Sequence, residues 1–316
     1  MLNSIKGFHL EPTNICTLKC PRCPRTNFIE TYKNKNWENK NLNLDDLKKF
    51  IDIDISGLVF GLNGNYGDPI YYPDLFNLIK YIKSNNGIIQ LHTNGSYKTP
   101  NWWNELAELL DSKDIINFSI DGLPENFTKY RVNAEWSSIK TGIDIMVKST
   151  AKVIWKYIVF SFNETDINAA RELSEELGMD DFVINNSDRW IDNDWLKPVN
   201  YVNITNSGTN LLYNGSLNGA RDGSITQWKK SNRDIEIDAL CKQTDAMHFI
   251  SADGYYLPCC FVGDYGFYYK SEFYKNREQY NISKTTITEI LKNTQEFYSS
   301  IEEQKYNYCT FNCPKL

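Results

Sequence analysis

The chain has 316 residues, 41% of them hydrophobic, enough for one barrel-sized domain and a smaller one. Its formal net charge is −6 and no Lys/Arg run stands out, so no nucleic-acid partner is expected. There is no basic-then-apolar leader and no apolar run near the ~20 residues of a membrane span, so no membrane partner is expected and the cytoplasm is the expected location.

Gly7-Phe8-His9-Leu10-Glu11 reads as a first strand entering a loop. That loop contains Cys16, Cys20 and Cys23, spaced C-x3-C-x2-C. Three thiolates on one loop can hold three irons of a [4Fe-4S] cube and leave the fourth iron open to a small molecule. A cluster kept for electron transfer normally takes four cysteines. A closed zinc site also wants four ligands, usually in C-x2-C pairs. A zinc loop or three unrelated buried thiols are the competing readings.

Residues 26–42 are polar and read as a surface excursion. Asn43 is a candidate cap for a short helix that turns Leu44, Leu47, Phe50 and Ile51 to one side. A buried strand at 58–62 runs into Asn63-Gly64-Asn65-Tyr66-Gly67-Asp68-Pro69. A helix over 74–84 follows, with Leu75, Leu78, Ile79 and Ile82 inward. Next come a strand at 88–95, a helix at 101–110, a strand at 115–122 and a helix around 136–148. A strand at 153–160, a helix at 166–177 and a strand at 181–185 complete the series. Strands alternate with helices about every thirty residues, the rhythm of a parallel sheet. The strand ends are rich in Gly, Asn and Asp, and in a βα barrel those ends carry the chemistry. His9 and His92 read as satisfied strand or loop histidines rather than metal ligands.

Residues 196–235 change to an Asn-, Gly-, Ser- and Thr-rich composition and read as a bridge. Beyond them lie Cys241, Cys259, Cys260, Cys309 and Cys313. The stretch between Cys241 and Cys259 reads as a hairpin with an Asp253-Gly254 turn, which brings these two thiols to one end of paired strands. A helix near 286–300 returns the chain to Cys309 and Cys313. Cys241, Cys259, Cys309 and Cys313 can close a second [4Fe-4S] cluster. Cys260 is read as a spare thiol, and a structural zinc on the same four cysteines is the alternative.

Glu11-Pro12-Thr13-Asn14 running into C-x3-C-x2-C resembles the radical S-adenosylmethionine (SAM) superfamily. The resemblance implies an α/β fold: a partial (βα)6 TIM-like barrel over 1–195, a bridge over 196–235, and a small α+β twitch-like domain over 236–316, similar to SPASM/twitch domains. It implies a SAM-binding [4Fe-4S] cluster, an auxiliary [4Fe-4S] cluster and SAM as cofactors. It also implies that Tyr66 (backbone carbonyl) and Asp68 hold the SAM amine. Ser119 would reach its carboxylate or ribose, Arg131 its carboxylate and Asn163 its ribose. The implied reaction is reductive cleavage of SAM to a 5′-deoxyadenosyl radical that abstracts hydrogen, fed by an electron donor such as flavodoxin or ferredoxin. A small sugar- or alcohol-like substrate is expected, with a peptide or protein side chain as the alternative. A non-catalytic zinc- or cluster-binding interaction module is the reading from another class. The sequence names no catalytic side chain.

Overall fold

The computed structural model of the protein describes residues 5–26, 38–185, 187, 194–199, 247–260, 262–263 and 272–292. Strands and helices alternate as the periodicity predicts: β1 (Gly7–Leu10), α1 (Leu44–Phe50), β2 (Val59–Leu62), α2 (Leu75–Ser84), β3 (Ile88–Thr93) and α3 (Pro100–Leu109). They continue as β4 (Ile115–Ser119), α4 (Trp136–Met146), β5 (Lys152–Ile158), α5 (Ile167–Glu176) and β6 (Asp181–Asn185). The C-terminal part adds β7 (Met247–Ile250), β8 (Tyr256–Leu257), α6 (Glu272–Lys275) and α7 (Ile287–Lys292). The helix expected near 286–300 is described only as far as Lys292.

Local chemistry sets several element ends. The Asn43 side chain accepts from the Asp45 and Asp46 amides, both at 3.0 Å, so α1 begins where the sequence suggested. Thr99 caps α3 in the same way through the Trp102 amide. The apolar stripe of α2 is Leu75, Leu78, Ile79 and Ile82, all buried.

The strands form one open sheet in the order β6-β5-β4-β3-β2-β1-β7-β8. Neighbours from β1 to β6 are parallel, as a series of right-handed crossovers requires. The C-terminal hairpin closes through Gly254 at φ +83°, the left-handed conformation glycine adopts without a Cβ penalty. Its first strand, β7, lies parallel to β1, with Gly7 opposite Met247 and Leu10 opposite Ile250. The hairpin therefore extends the barrel sheet and covers the second edge of β1.

Alternation along the strands divides the sheet into two faces. Phe8, Leu10, Phe60, Leu62, Leu91, Phe118, Trp155 and Tyr157 are fully buried and pack with the helices in the main core. Trp103 of α3 sits 5.6 Å from the Phe118 ring, and Gly142 of α4 makes room for it. The intervening residues, among them His9, Gly61, His92, Asn117 and Lys156, turn to the other face. That face is the concave one that a partial barrel encloses.

Candidate functional site

The cysteine loop leaves the end of β1 and is held from several sides. The Asp68 amide donates to the Ile15 carbonyl at 2.9 Å, and the Leu42 amide to the Pro12 carbonyl at 2.8 Å. The Asn14 side chain donates to the Glu38 carbonyl and accepts from the Lys40 amide. Further along, the Lys19 amide reaches the Val132 carbonyl at 3.0 Å. Arg22 forks onto the buried Asp194 carboxylate at 2.7 and 2.9 Å. Gly67 presses so closely on the Thr13 carbonyl that a Cβ there would lie 1.8 Å from its oxygen.

The three cysteines are free thiols, with Cys20 buried and Cys16 and Cys23 half-buried. Burial pushes Cys16 up to about 12, helped by the Asp68 carboxylate and by Cys23 and Cys20. Burial also pushes Cys20 up to about 12, against the pull of Arg131 and with Cys23 and Asp121 adding to it. Cys16 and Cys20, which burial holds as thiols, become stable thiolates only when a cationic group neutralises them. Among the described residues no three His, Cys, Asp or Glu close on one point as a single metal ion needs. A cube spreads its thiolates over separate irons, so this donor set suits a cluster.

Around the sulfurs lie the ends of β2, β3 and β4. Asp68 is buried, and both of its oxygens are engaged. One accepts from the Ile70 amide at 3.2 Å. The other accepts from the Asn94 amide at 2.6 Å, from the Asn94 side chain, and from Thr93 at 3.2 Å. Asn94 in turn points its Nδ2 at Cys16 Sγ, 3.6 Å away. Asp68 thus fixes a donor on the Cys16 sulfur, a role the sequence did not suggest. Its pKa is raised by burial, with the Asn94 amide opposing.

Arg131 donates through Nε to Asp121 at 2.6 Å, and Asp121 also takes the Ile158 amide at 2.7 Å. Burial works against the guanidinium's charge, yet Asp121 and the neighbouring Cys20 hold it firmly protonated. Ser119 ends β4 on the concave face, and its hydroxyl has no hydrogen bond among the described residues. Asn163 is fully buried. Its amide donates to the Asp121 and Ile158 carbonyls and accepts from the Phe160 amide, so its side chain serves the β5 turn.

Glu11 is a residue the sequence quoted only as part of a motif. Its carboxylate accepts from the Tyr66 amide at 2.7 Å and the Gly67 amide at 3.4 Å. Burial lifts it to about 7, the amides oppose this and nearby Asp253 adds to it. Of the second cysteine set, Cys259 and Cys260 are half-buried; Cys241, Cys309 and Cys313 lie outside the described residues. The loop after β2 reaches this set, with Asn65 donating to the Cys260 carbonyl at 2.8 Å and the Tyr66 hydroxyl to the Gly263 carbonyl at 3.1 Å. A separate concavity of about 850 Å³ lies between α1 and α2 and touches none of these residues.

The family model described as the radical SAM superfamily matches residues 10–173. The chain belongs to the radical SAM superfamily. A second model, the SPASM iron–sulfur cluster-binding domain, matches residues 241–314 and takes in Cys241, Cys259, Cys309 and Cys313. The radical SAM fold is shared with solved structures. Native anSMEcpe with bound AdoMet is 17% identical, with 97% of this chain and 88% of that one covered at a TM-score of 0.57. Streptococcus suis SuiB bound to precursor peptide SuiA is 15% identical, with 94% and 66% covered at 0.61. The tungsten-containing aldehyde ferredoxin oxidoreductase cofactor-modifying protein of Pyrococcus furiosus is 28% identical over 120 residues. That match spans 38% of this radical SAM chain and 32% of its relative. Membership brings [4Fe-4S] clusters and SAM as cofactors, and the loop on Cys16, Cys20 and Cys23 has the donors for the SAM-binding one. No helix among the described residues is long and apolar enough to cross a membrane.

Proposed function

We propose that this protein is a radical SAM enzyme that abstracts hydrogen from a substrate held on the concave face of the sheet. The observation that carries this is the cysteine loop, fixed between Asn94, on Cys16, and Arg131, on Cys20, at the C-terminal ends of β3 and β4. When bound, the cluster and SAM supply a primary carbon radical strong enough to break an unactivated C–H bond.

The chain's own residues position and enclose that chemistry. Cys16, Cys20 and Cys23 hold the cluster. Asp68 orients Asn94, whose amide stabilises charge on the Cys16 sulfur. Arg131, oriented by Asp121, offers its remaining nitrogens to the SAM carboxylate, and the Ser119 hydroxyl adds a donor beside it. The Tyr66 carbonyl is assigned to the SAM amine, its amide being fixed by Glu11. Cys241, Cys259, Cys309 and Cys313 would hold the auxiliary cluster, which would supply an electron acceptor or a ligand position for substrate. The loop from Asn65 to Tyr66 touches both regions and sets their spacing. A cytoplasmic donor such as flavodoxin or ferredoxin supplies the electron.

A small molecule was the first substrate expectation. The peptide reading gains support from SuiB, which shares this fold and was solved with its precursor peptide. Iron and 5′-deoxyadenosine test the proposal together. Anaerobically reconstituted protein with dithionite and SAM is expected to hold roughly eight irons and release 5′-deoxyadenosine. Replacing Cys16, Cys20 and Cys23 by Ala should stop that release and keep the auxiliary cluster. Zinc without iron, or undiminished release from the triple variant, would favour a binding module instead.

A further inference from the structure

The concave face carries polar groups that neither the cluster nor SAM explains. Register places the groups of β3, β4 and β5 together. His92 of β3 lies opposite Asn117 of β4, and Ser119 of β4 lies opposite Lys156 of β5. His9 of β1 lies near enough to act on His92 through space, and its ring is edge-on to Phe249 of β7 at 5.0 Å. Level with Asn117 and Lys156, Ile154 and Val183 form a small apolar cluster with Ile115.

Three of these groups have unmet bonding capacity. His9 is 8% exposed and bonds to Asn63, which leaves its Nε2 with no partner. Asn117 is fully buried; its Nδ2 reaches the Leu91 carbonyl and His92 Nε2, both at 3.4 Å, but its Oδ1 has no partner. Lys156 is half-buried and makes no ion pair or hydrogen bond among the described residues. Asp181 acts on it only at a distance. Buried polar atoms left without partners are rare, because each costs the full desolvation of its group. Two such atoms on one face, with the half-buried Lys156 beside Asn117, mark a place built to meet a ligand.

The sign and count of the groups define that ligand. His9 bonds to Asn63 in a way that favours its protonated form, so its bonded nitrogen is the donor and its Nε2 is a lone-pair acceptor. Burial holds His9 at about 4 and His92 at about 3, so both rings are neutral near pH 7. Lys156 then supplies one cation, and His9 Nε2 and Asn117 Oδ1 supply two acceptors. A phosphate dianion carries more charge than a single ammonium can offset, whereas a carboxylate balances it. The acceptors ask for N–H or O–H donors next to that carboxylate.

We propose that Lys156, His9 and Asn117 form the substrate-recognition site, and that it takes a carboxylate flanked by an N–H donor, as in an acylated acidic amino acid. This inference rests on the radical SAM reading only for where the reaction occurs. The same chemistry is offered by an Asp residue within a peptide or by a free N-acyl amino acid.

Binding separates these sources without any radical chemistry. Reconstituted protein with SAM and no reductant is titrated with N-acetyl-aspartate and with its diamide, N-acetyl-asparaginamide, which carries no carboxylate. It is then titrated with the capped tripeptide Ala-Asp-Ala and its Asn counterpart. In at least one pair the acid should bind about tenfold or more tightly than the amide, the worth of a charge-assisted bond. Lys156→Gln should abolish the preference and Lys156→Arg should keep part of it. Preference only in the tripeptide pair assigns a peptide source, and preference only in the free pair a small-molecule source. Equal binding of acid and amide in both pairs, or binding of neither, overturns the proposal, and this comparison needs no variant to fold. 5′-Deoxyadenosine release by the same preparation reports separately on the radical SAM reading.

Discussion

Replacing Gly67 by Ala tests how the cysteine loop is held. The new Cβ would lie 1.8 Å from the Thr13 oxygen, 2.6 Å from its carbon and 2.8 Å from the Asn14 Cα. A carbon and a carbonyl oxygen settle at about 3.3–3.6 Å, so the two segments must part by roughly 1.5 Å. The Asp68 amide to Ile15 carbonyl bond, 2.9 Å long, does not survive that displacement. Its loss costs about 1 kcal/mol and the overpacking about 1–3 kcal/mol more. The sum, about 2–4 kcal/mol, corresponds to a melting temperature lower by about 3–6 °C in the apoprotein. Gly61→Ala is the control, because its Cβ meets nothing nearer than Met247 Cε at 3.6 Å. Differential scanning calorimetry and iron analysis after reconstitution read both variants. Gly67→Ala should melt early and lose iron from the first cluster, while Gly61→Ala should keep its iron and its melting point. A Gly67→Ala protein with wild-type melting and full iron would refute the reasoning.

Arg131→Ala should weaken SAM binding roughly tenfold or more without loss of iron, since it removes charge-assisted bonds to the SAM carboxylate; a wild-type titration curve would remove it from the site. Cys260→Ala should keep the auxiliary cluster and Cys259→Ala should lose it, as iron content and spectroscopy will show; the reverse pattern would reassign the ligand. Glu11, lifted to about 7 from 4.5, binds its proton more tightly folded than unfolded. Its contribution is therefore complete below about pH 4.5 and falls as pH rises towards about 7. Urea titrations of the apoprotein across that window should show the decline, and Glu11→Gln should flatten it.

The sequence was readable wherever a rule acts over a few residues. Asn43 announced a cap, α2 announced its stripe, and three thiols in one loop announced a cluster. What it hid depends on residues far apart in the chain. Asp68 looked like a SAM ligand because it stands in the right turn. Its partners Thr93 and Asn94 arrive one βα unit later, and they take up its oxygens. Asn163 sat at a plausible strand end, but the turn it stabilises folds its amide inward. Glu11 and the concave-face groups were missed because a single polar residue in a strand carries no periodic signal. Their meaning depends on register with β2, β4 and β5, which a linear reading does not contain.

The pairing of β1 with β7 also orders events in time. Gly7 is made ahead of its partner Met247, which follows only after the whole βα series. At about 5–20 residues per second the wait is on the order of 10–50 s. For that interval one flank of β1 carries bare amides and carbonyls, the kind of edge that recruits strands from other chains. The strand bearing the cysteine loop therefore gains its last neighbour late in synthesis, and a chain cut short after β6 would expose that flank permanently.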